Sequence, residues 1–191
     1  MAEFFDALTD DHVAMIARQP VFFVATTAEG ARINLSPKGY DCLRVLSPTR
    51  VAWLDLGGSG NETNAHLIAD GRITMMFCNF QQPAQVLRIY GKGEPVLPWE
   101  RGWDELAGHF TMLPGTRQIF DVAVEGVHTS CGYGVPLMTL DSERPTLLKH
   151  HANADPVEWA GKFRTRRTSI DGLPARTTDR YIAGEPGTVP D

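Results

Sequence analysis

The sequence is short of cysteine, of net positive charge and of long apolar runs. Three of its 191 residues are cysteine (Cys42, Cys78, Cys131), an odd number spaced far apart. That spacing suits neither a disulfide framework nor a CxxC metal site, so no metal is expected and the cytoplasm is the expected compartment. No apolar run approaches the ~20 residues of a membrane helix. The longest, residues 21–25 and 73–77, are strand-sized. The opening Met1-Ala-Glu-Phe-Phe-Asp6 has no basic stretch ahead of an apolar core, so no secretory signal and no membrane partner are expected. Lys and Arg number 18 against 23 Asp and Glu, a net charge of −5. The small positive excess is local: residues 149–180 carry 7 basic against 4 acidic side chains, and residues 1–148 carry 11 against 17. An acidic body with one short basic segment lacks the broad positive face of a nucleic-acid binder.

What is present is an ordinary globular composition, 42% hydrophobic and 21% charged, which excludes intrinsic disorder. The 18 Gly and 13 Pro follow no triplet period, so a collagen-like chain is excluded too. Thr9 or Asp10 can cap a first helix in which Val13, Ile16 and Ala17 recur before Pro20. Strands are expected at 21–27, 31–36, 42–46, 51–56, 72–80, 86–96 and 119–129, with turns at 28–30, 47–50 and 113–116. Helices are expected at 62–70, with Leu67 and Ile68 inward and Gly71 closing it, and at 101–110. Asp155-Pro156 has the order of a helix start, and that helix runs through Lys162-Phe-Arg-Thr-Arg-Arg167. Apolar residues thin out after Pro174, as in a flexible tail. Six or seven strands joined by short links make a mainly β protein, a closed antiparallel barrel with inserted helices.

Three segments carry candidate chemistry. In Leu54-Asp-Leu-Gly-Gly-Ser-Gly-Asn-Glu-Thr-Asn64 a strand ends, four small residues follow and a helix begins. Gly58, Ser59 and Gly60 let a ligand approach the backbone, the first helical turn offers free N–H groups, and Asn61, Thr63 and Asn64 add neutral donors. This suits a phosphate without being a P-loop, although Ser59-x-x-Glu62 also reads as a capping box that needs no ligand. In Asn34-Leu-Ser-Pro-Lys-Gly39, the side chains of Asn34, Ser36 and Lys38 lie two apart and so point to one side of an extended segment. A polar heterocycle or an anion suits that set, and so does a solvated strand face. In Val86-Leu-Arg-Ile-Tyr-Gly-Lys-Gly93, Arg88 shares a face with Val86 and Tyr90. Elsewhere, His66, His109 and His128 stand singly, and His150-His151 diverge by about 100° on a helix, a poor metal pair. Cys131 has no neighbouring cation and reads as an ordinary thiol.

In this order the segments resemble the pyridoxamine 5'-phosphate oxidase-like family of FMN-binding split barrels. The resemblance covers residues 22–138 and is carried by Phe23-Val-Ala-Thr26, Asn34-Leu-Ser-Pro-Lys-Gly39, Gly58-Ser-Gly-Asn-Glu-Thr63, Arg72-Ile-Thr-Met-Met-Phe77 and Leu87-Arg-Ile-Tyr-Gly91. Ser130 to Met138 is similar to a subgroup of bacterial members. The resemblance implies a six-stranded antiparallel split β-barrel and a homodimer with FMN at the subunit interface. It places the FMN phosphate around the loop that precedes the helix at 62, and Lys38 or Arg88 near the flavin's pyrimidine edge. The cofactor-binding set is then Asn34, Ser36, Lys38, Gly58, Ser59, Gly60, Asn61, Thr63 and Arg88, with no catalytic acid or base assigned. The oxidases themselves carry Ser-Arg-Lys where this chain has Asn61-Glu62-Thr63, and the C-terminal Arg-x-His…Trp pattern is missing. Oxidation of pyridoxamine phosphate itself is therefore not expected, because a dianion leaving water needs paired cations.

The resulting expectation is an FMN-dependent oxidoreductase that passes electrons or hydride between the flavin and a small molecule. A non-catalytic haem- or flavin-binding carrier or sensor, or a deazaflavin-dependent reductase, is the alternative. The expected organisation is a split-barrel domain at 1–150, a C-terminal helix and extension at 151–175, and a flexible tail at 176–191.

Overall fold

The computed structural model describes residues 2–190. Met1 and Asp191, the outer limits of the expected domains, lie outside it. Eight strands form one antiparallel sheet: β1 (Glu3–Phe5), β2 (Phe22–Thr26), β3 (Asn34–Lys38), β4 (Leu43–Ser47), β5 (Arg50–Leu56), β6 (Arg72–Cys78), β7 (Val86–Val96) and β8 (Thr116–Ser130). Their order is β3-β2-β6-β7-β8-β5-β4, with β1 added to β8. One edge of β8 pairs with β7 along its length; the other pairs first with β5 and then with β1. The two ends of this order, β3 and β4, are consecutive in the chain and are not paired as strands. Between them is the split of a split barrel, the fold class expected. Seven of these strands answer to the seven segments expected; the eighth, β1, is a three-residue addition too short to show a period.

Strand boundaries follow the alternation closely, because a one-residue slip would turn every side chain to the wrong face. Val122, Val124 and Val127 are all buried although 124 and 127 are three apart. A bulge reconciles them: Tyr90 pairs with Gly126 and Gly91 with Val124, leaving Glu125 unpaired. Gly91 belongs to the same irregularity, since a Cβ there would lie 2.2 Å from the Ala123 carbonyl oxygen. The interior is filled by Val24, Trp53, Met75, Phe77, Leu87, Ile89, Phe120 and Val127, with Trp53 stacked on Phe120 at 4.4 Å.

Helix α1 (Asp10–Ala17) starts at Thr9, whose hydroxyl accepts the His12 N–H while His12 Nδ1 accepts the Thr9 N–H. Histidine thus does the work of the glutamate in a capping box. Helix α2 (Glu62–Ala69) buries Leu67 but exposes Ile68, contrary to expectation. At 100° per residue, adjacent positions cannot both face the barrel. Helix α3 (Trp103–Ala107) occupies the middle of its expected range.

The C-terminal part departs most from expectation. A helix not anticipated, α4 (Thr146–Ala152), precedes α5 (Pro156–Arg164), which Asp155 caps as its sequence suggests. Residues 176–190, read from composition as a loose tail, run back over the body. Ile182 bridges to Thr116, and the Gly115 N–H donates to the Ile182 carbonyl. The Tyr181 hydroxyl donates to the His151 carbonyl.

Candidate functional site

Strand β5 delivers the chain to Gly57-Gly-Ser-Gly60, and α2 carries it away. The glycines here have different reasons to be glycine. A Cβ on Gly57 would lie 2.3 Å from Phe163 Cζ, so Gly57 is required by the docking of α5. A Cβ on Gly58 would meet nothing within 4 Å, and one on Gly60 would meet only the Glu62 side chain at 3.5 Å. The protein's own packing does not explain those two. From Gly58 to Asn64, no backbone N–H meets a protein acceptor among the described residues. The capping box that would have explained the segment is not formed: the N-cap is Asn61, which makes no side-chain cap, and the Glu62 carboxylate instead accepts the Ile170 N–H. What remains is a row of donors at the positive end of a helix, accessible at two glycines.

Beneath the loop lies a buried polar network. Asp55 Oδ2 accepts Arg117 Nε at 2.6 Å and Gln118 Nε2 at 2.8 Å, while Lys38 Nζ stands 3.4 Å from Oδ1. Burial pushes the Asp55 carboxyl up, but the charges of Arg117 and Lys38 and the bonds from Gln118 and Arg117 outweigh it, holding the group below its ordinary value. Arg117 also donates to the Gly60 carbonyl at 2.8 Å, so the carboxylate anchors the loop through one guanidinium. Gln118 Nε2 donates to Asn61 Oδ1 at 3.0 Å, and Gln118 Oε1 accepts from Asn64 Nδ2 at 2.6 Å. The backbone of Arg176 closes the ring, accepting from Asn61 and donating to Asn64.

The expected site residues divide accordingly. Asn34, Ser36 and Lys38 share the inner side of β3, opposite Thr26, Val24 and Phe22. Asn34 Nδ2 donates to Ser36 Oγ and to Thr63 Oγ1, both at 3.2 Å, so β3 and the start of α2 form one polar cluster, and Gly58, Ser59 and Gly60 precede that helix start in the chain. The Asn61 side chain is not a free donor, because its amide is spent on Gln118 and Arg176. The Lys38 ammonium is not a bare charge, because Asp55 faces it. Arg88 does not join the cluster. Its row across the sheet is Pro37, Phe23, Met76, Arg88, His128 and Phe4, which is the outer face, and its guanidinium donates to Ser130 Oγ at 3.3 Å.

Asp55, Arg117 and Gln118 were missed by sequence reasoning. The signal available was a carboxylate inside an otherwise apolar strand, which buries only if paired. His151 was also missed: it is buried, its Nε2 lies 2.7 Å from the Gly57 carbonyl, and its Nδ1 lies 3.1 Å from Trp159 Nε1. The indole can only donate, so Nδ1 is the acceptor and Nε2–H donates to Gly57. Burial first, then the charges of His150, Arg117 and Lys162, hold the imidazole pKa below its ordinary value, against the bond to Gly57. Among the described residues no group of three metal-ligating side chains occurs, and no helix is long and apolar enough to cross a membrane.

Fold and site together define an antiparallel split barrel whose strand-to-helix loop presents backbone donors beside a polar strand face. Solved structures share this fold. A HupZ variant from Group A Streptococcus matches with a TM-score of 0.51 at 18% identity, over 64% of this chain and 98% of its own. A candidate pyridoxamine 5'-phosphate oxidase from Lactobacillus delbrueckii matches with a TM-score of 0.52 at 15% identity, over 64% and 94%. The family profile of pyridoxamine 5'-phosphate oxidase matches residues 8–131. The pyridoxamine 5'-phosphate oxidase family protein ustO of Aspergillus flavus is 37% identical over 98% of this chain and 78% of its own length. The chain belongs to the pyridoxamine 5'-phosphate oxidase family.

Proposed function

We propose that this protein is an FMN-dependent oxidoreductase. The observation that carries the reading is the run of unpaired N–H groups at Gly58–Asn64, reached past two glycines that the packing does not require. That cradle fits a phosphate, and the neighbouring Asn34, Ser36 and Thr63 fit a polar heterocycle. Bound FMN would supply hydride or one-electron transfer to a small-molecule partner. The chain's own part is to bind and orient: donors at the loop for the phosphate, amide and hydroxyls for the ring edge, and Lys38 for charge moderated by Asp55. In this reading two copies associate through the outer face of β3, β2, β6 and β7, and Arg88 serves at that interface rather than in the cluster.

FMN is expected to bind about thirtyfold more tightly than riboflavin, the worth of about 2 kcal/mol of charge-assisted hydrogen bonding. Gly60→Val is expected to fold, since its Cβ has room, and to lose that preference. Equal affinity of the wild type for FMN and riboflavin would overturn the assignment. A visible spectrum of the purified protein separates flavin from haem and deazaflavin.

A further inference from the structure

A cavity of about 620 Å³ lies between Gly57–Ser59 and the helix pair α4–α5. Its walls include Lys149, Lys162 and Arg166, and among the described residues none of these pairs with a carboxylate. Two acidic side chains share the walls, but Asp155 is occupied in capping α5 through Oδ1. Arg166 lies 4.9 Å from the Phe163 ring centre, and Arg117 lies 5.6 Å from the same ring. Two guanidiniums against one ring repel, and burial together with Arg117 depresses the Arg166 pKa. An anion would relieve that repulsion.

The loop motif itself has no cation: Asn61-Glu62-Thr63 occupies the three positions. A phosphate dianion removed from water needs charge as well as hydrogen bonds. The cavity joins both, because Gly58 and Ser59 belong to the donor run and also line its wall. All three cations lie beyond residue 131, where the family match ends. Phe163 fixes their position: its contact with Gly57 sets α5 against the loop, and the His151–Gly57 bond does the same for α4.

We propose that this cavity binds the phosphate of a phosphorylated small molecule, with Lys149, Lys162 and Arg166 supplying the charge and the Gly58 and Ser59 N–H groups the hydrogen bonds. The proposal rests on the flavin reading only for the ligand's identity, since the phosphate belongs either to FMN or to a phosphorylated substrate.

The test compares wild type with K149Q/K162Q/R166Q, following melting temperature and the fluorescence of Trp159, which lines the cavity. The probes are FMN, riboflavin and inorganic phosphate. Wild type is expected to respond to millimolar phosphate. In the triple variant FMN is expected to weaken at least tenfold while riboflavin is unchanged. If phosphate binding falls tenfold but FMN is untouched, the cavity stands and its ligand is a phosphorylated substrate. If wild type ignores both flavins yet binds phosphate through these cations, the flavin reading fails and the cavity stands. Because Arg166 packs on Phe163, K149Q/K162Q is measured in parallel and must weaken the same probe in the same direction. Phosphate and FMN binding unchanged in the folded variants would overturn the proposal.

Discussion

Asp55 holds the site from below. Its carboxylate sits in an apolar strand, serves Arg117, Gln118 and Lys38, and through Arg117 reaches the loop carbonyl at Gly60. Breaking a buried pair by neutralising one member costs about 3 kcal/mol, because the other charge stays buried. Asp55→Asn is expected to lose about that much stability in urea denaturation. Lys38→Met should cost under ~1 kcal/mol, since Lys38 is partly exposed and Asp55 keeps Arg117. Equal losses for the two would mean that the lysine, not the arginine, neutralises Asp55. In either variant Gly60 loses little geometry unless Arg117 moves.

At the scale of elements, the loop, α2 and the C-terminal helices behave as one assembly. Gly57→Ala must displace the Phe163 ring, an overpacking cost of about 1–3 kcal/mol. It should loosen α5, seen as increased exposure of Trp159 to fluorescence quenchers. Gly58→Val and Gly60→Val should leave that packing intact, so the three glycines separate architecture from ligand access. His151 adds a pH dependence. Its native pKa lies below the ordinary value near 6.5, so the unfolded chain binds the proton more readily. The stability it contributes is complete above about pH 6.5 and is lost as pH falls through the depressed native value. The physical event is a second N–H placed against the Trp159 indole N–H. His12, also depressed by burial, acts in the same direction. His151→Ala should therefore lower stability at pH 8 and flatten, without abolishing, its decline toward pH 5, as thermal melts across that range would show.

For the whole molecule, the outer face of the sheet is the notable surface. Leu35, Ala25, Thr74 and Tyr90 form one row across β3, β2, β6 and β7, and Leu35 is 64% exposed and Ile33 76%. The same side carries Phe23, Met76 and Phe4 in the neighbouring row. A two-fold pairing of this face would bury those side chains and bring Arg88 of each copy to the interface. Light scattering is expected to give a dimer, and Leu35→Glu with Ile33→Glu is expected to give a folded monomer. A wild-type monomer at micromolar concentration would count against the paired arrangement.

The alternation of apolar and polar residues determined the strands, and the Thr9, Asp155 and Gly71 signals determined helix ends, because each of these depends on neighbours within a few positions. The loop at 57–60 and the side shared by Asn34, Ser36 and Lys38 were legible for the same reason. Tertiary structure alone decided what those groups face. Register put Arg88 on the outer face. Packing from residues over a hundred positions away spent the Asn61 amide on Arg176 and turned Glu62 to Ile170, and a bridge from Ile182 to Thr116 laid the last residues along the barrel. The Asp55 carboxylate joins β3, β5 and β8, and the cavity joins a glycine loop to helices about ninety residues further on. Such partners share no local pattern; they are selected by burial, which forces each charge and amide that leaves water to find whatever donor or acceptor the fold brings within reach.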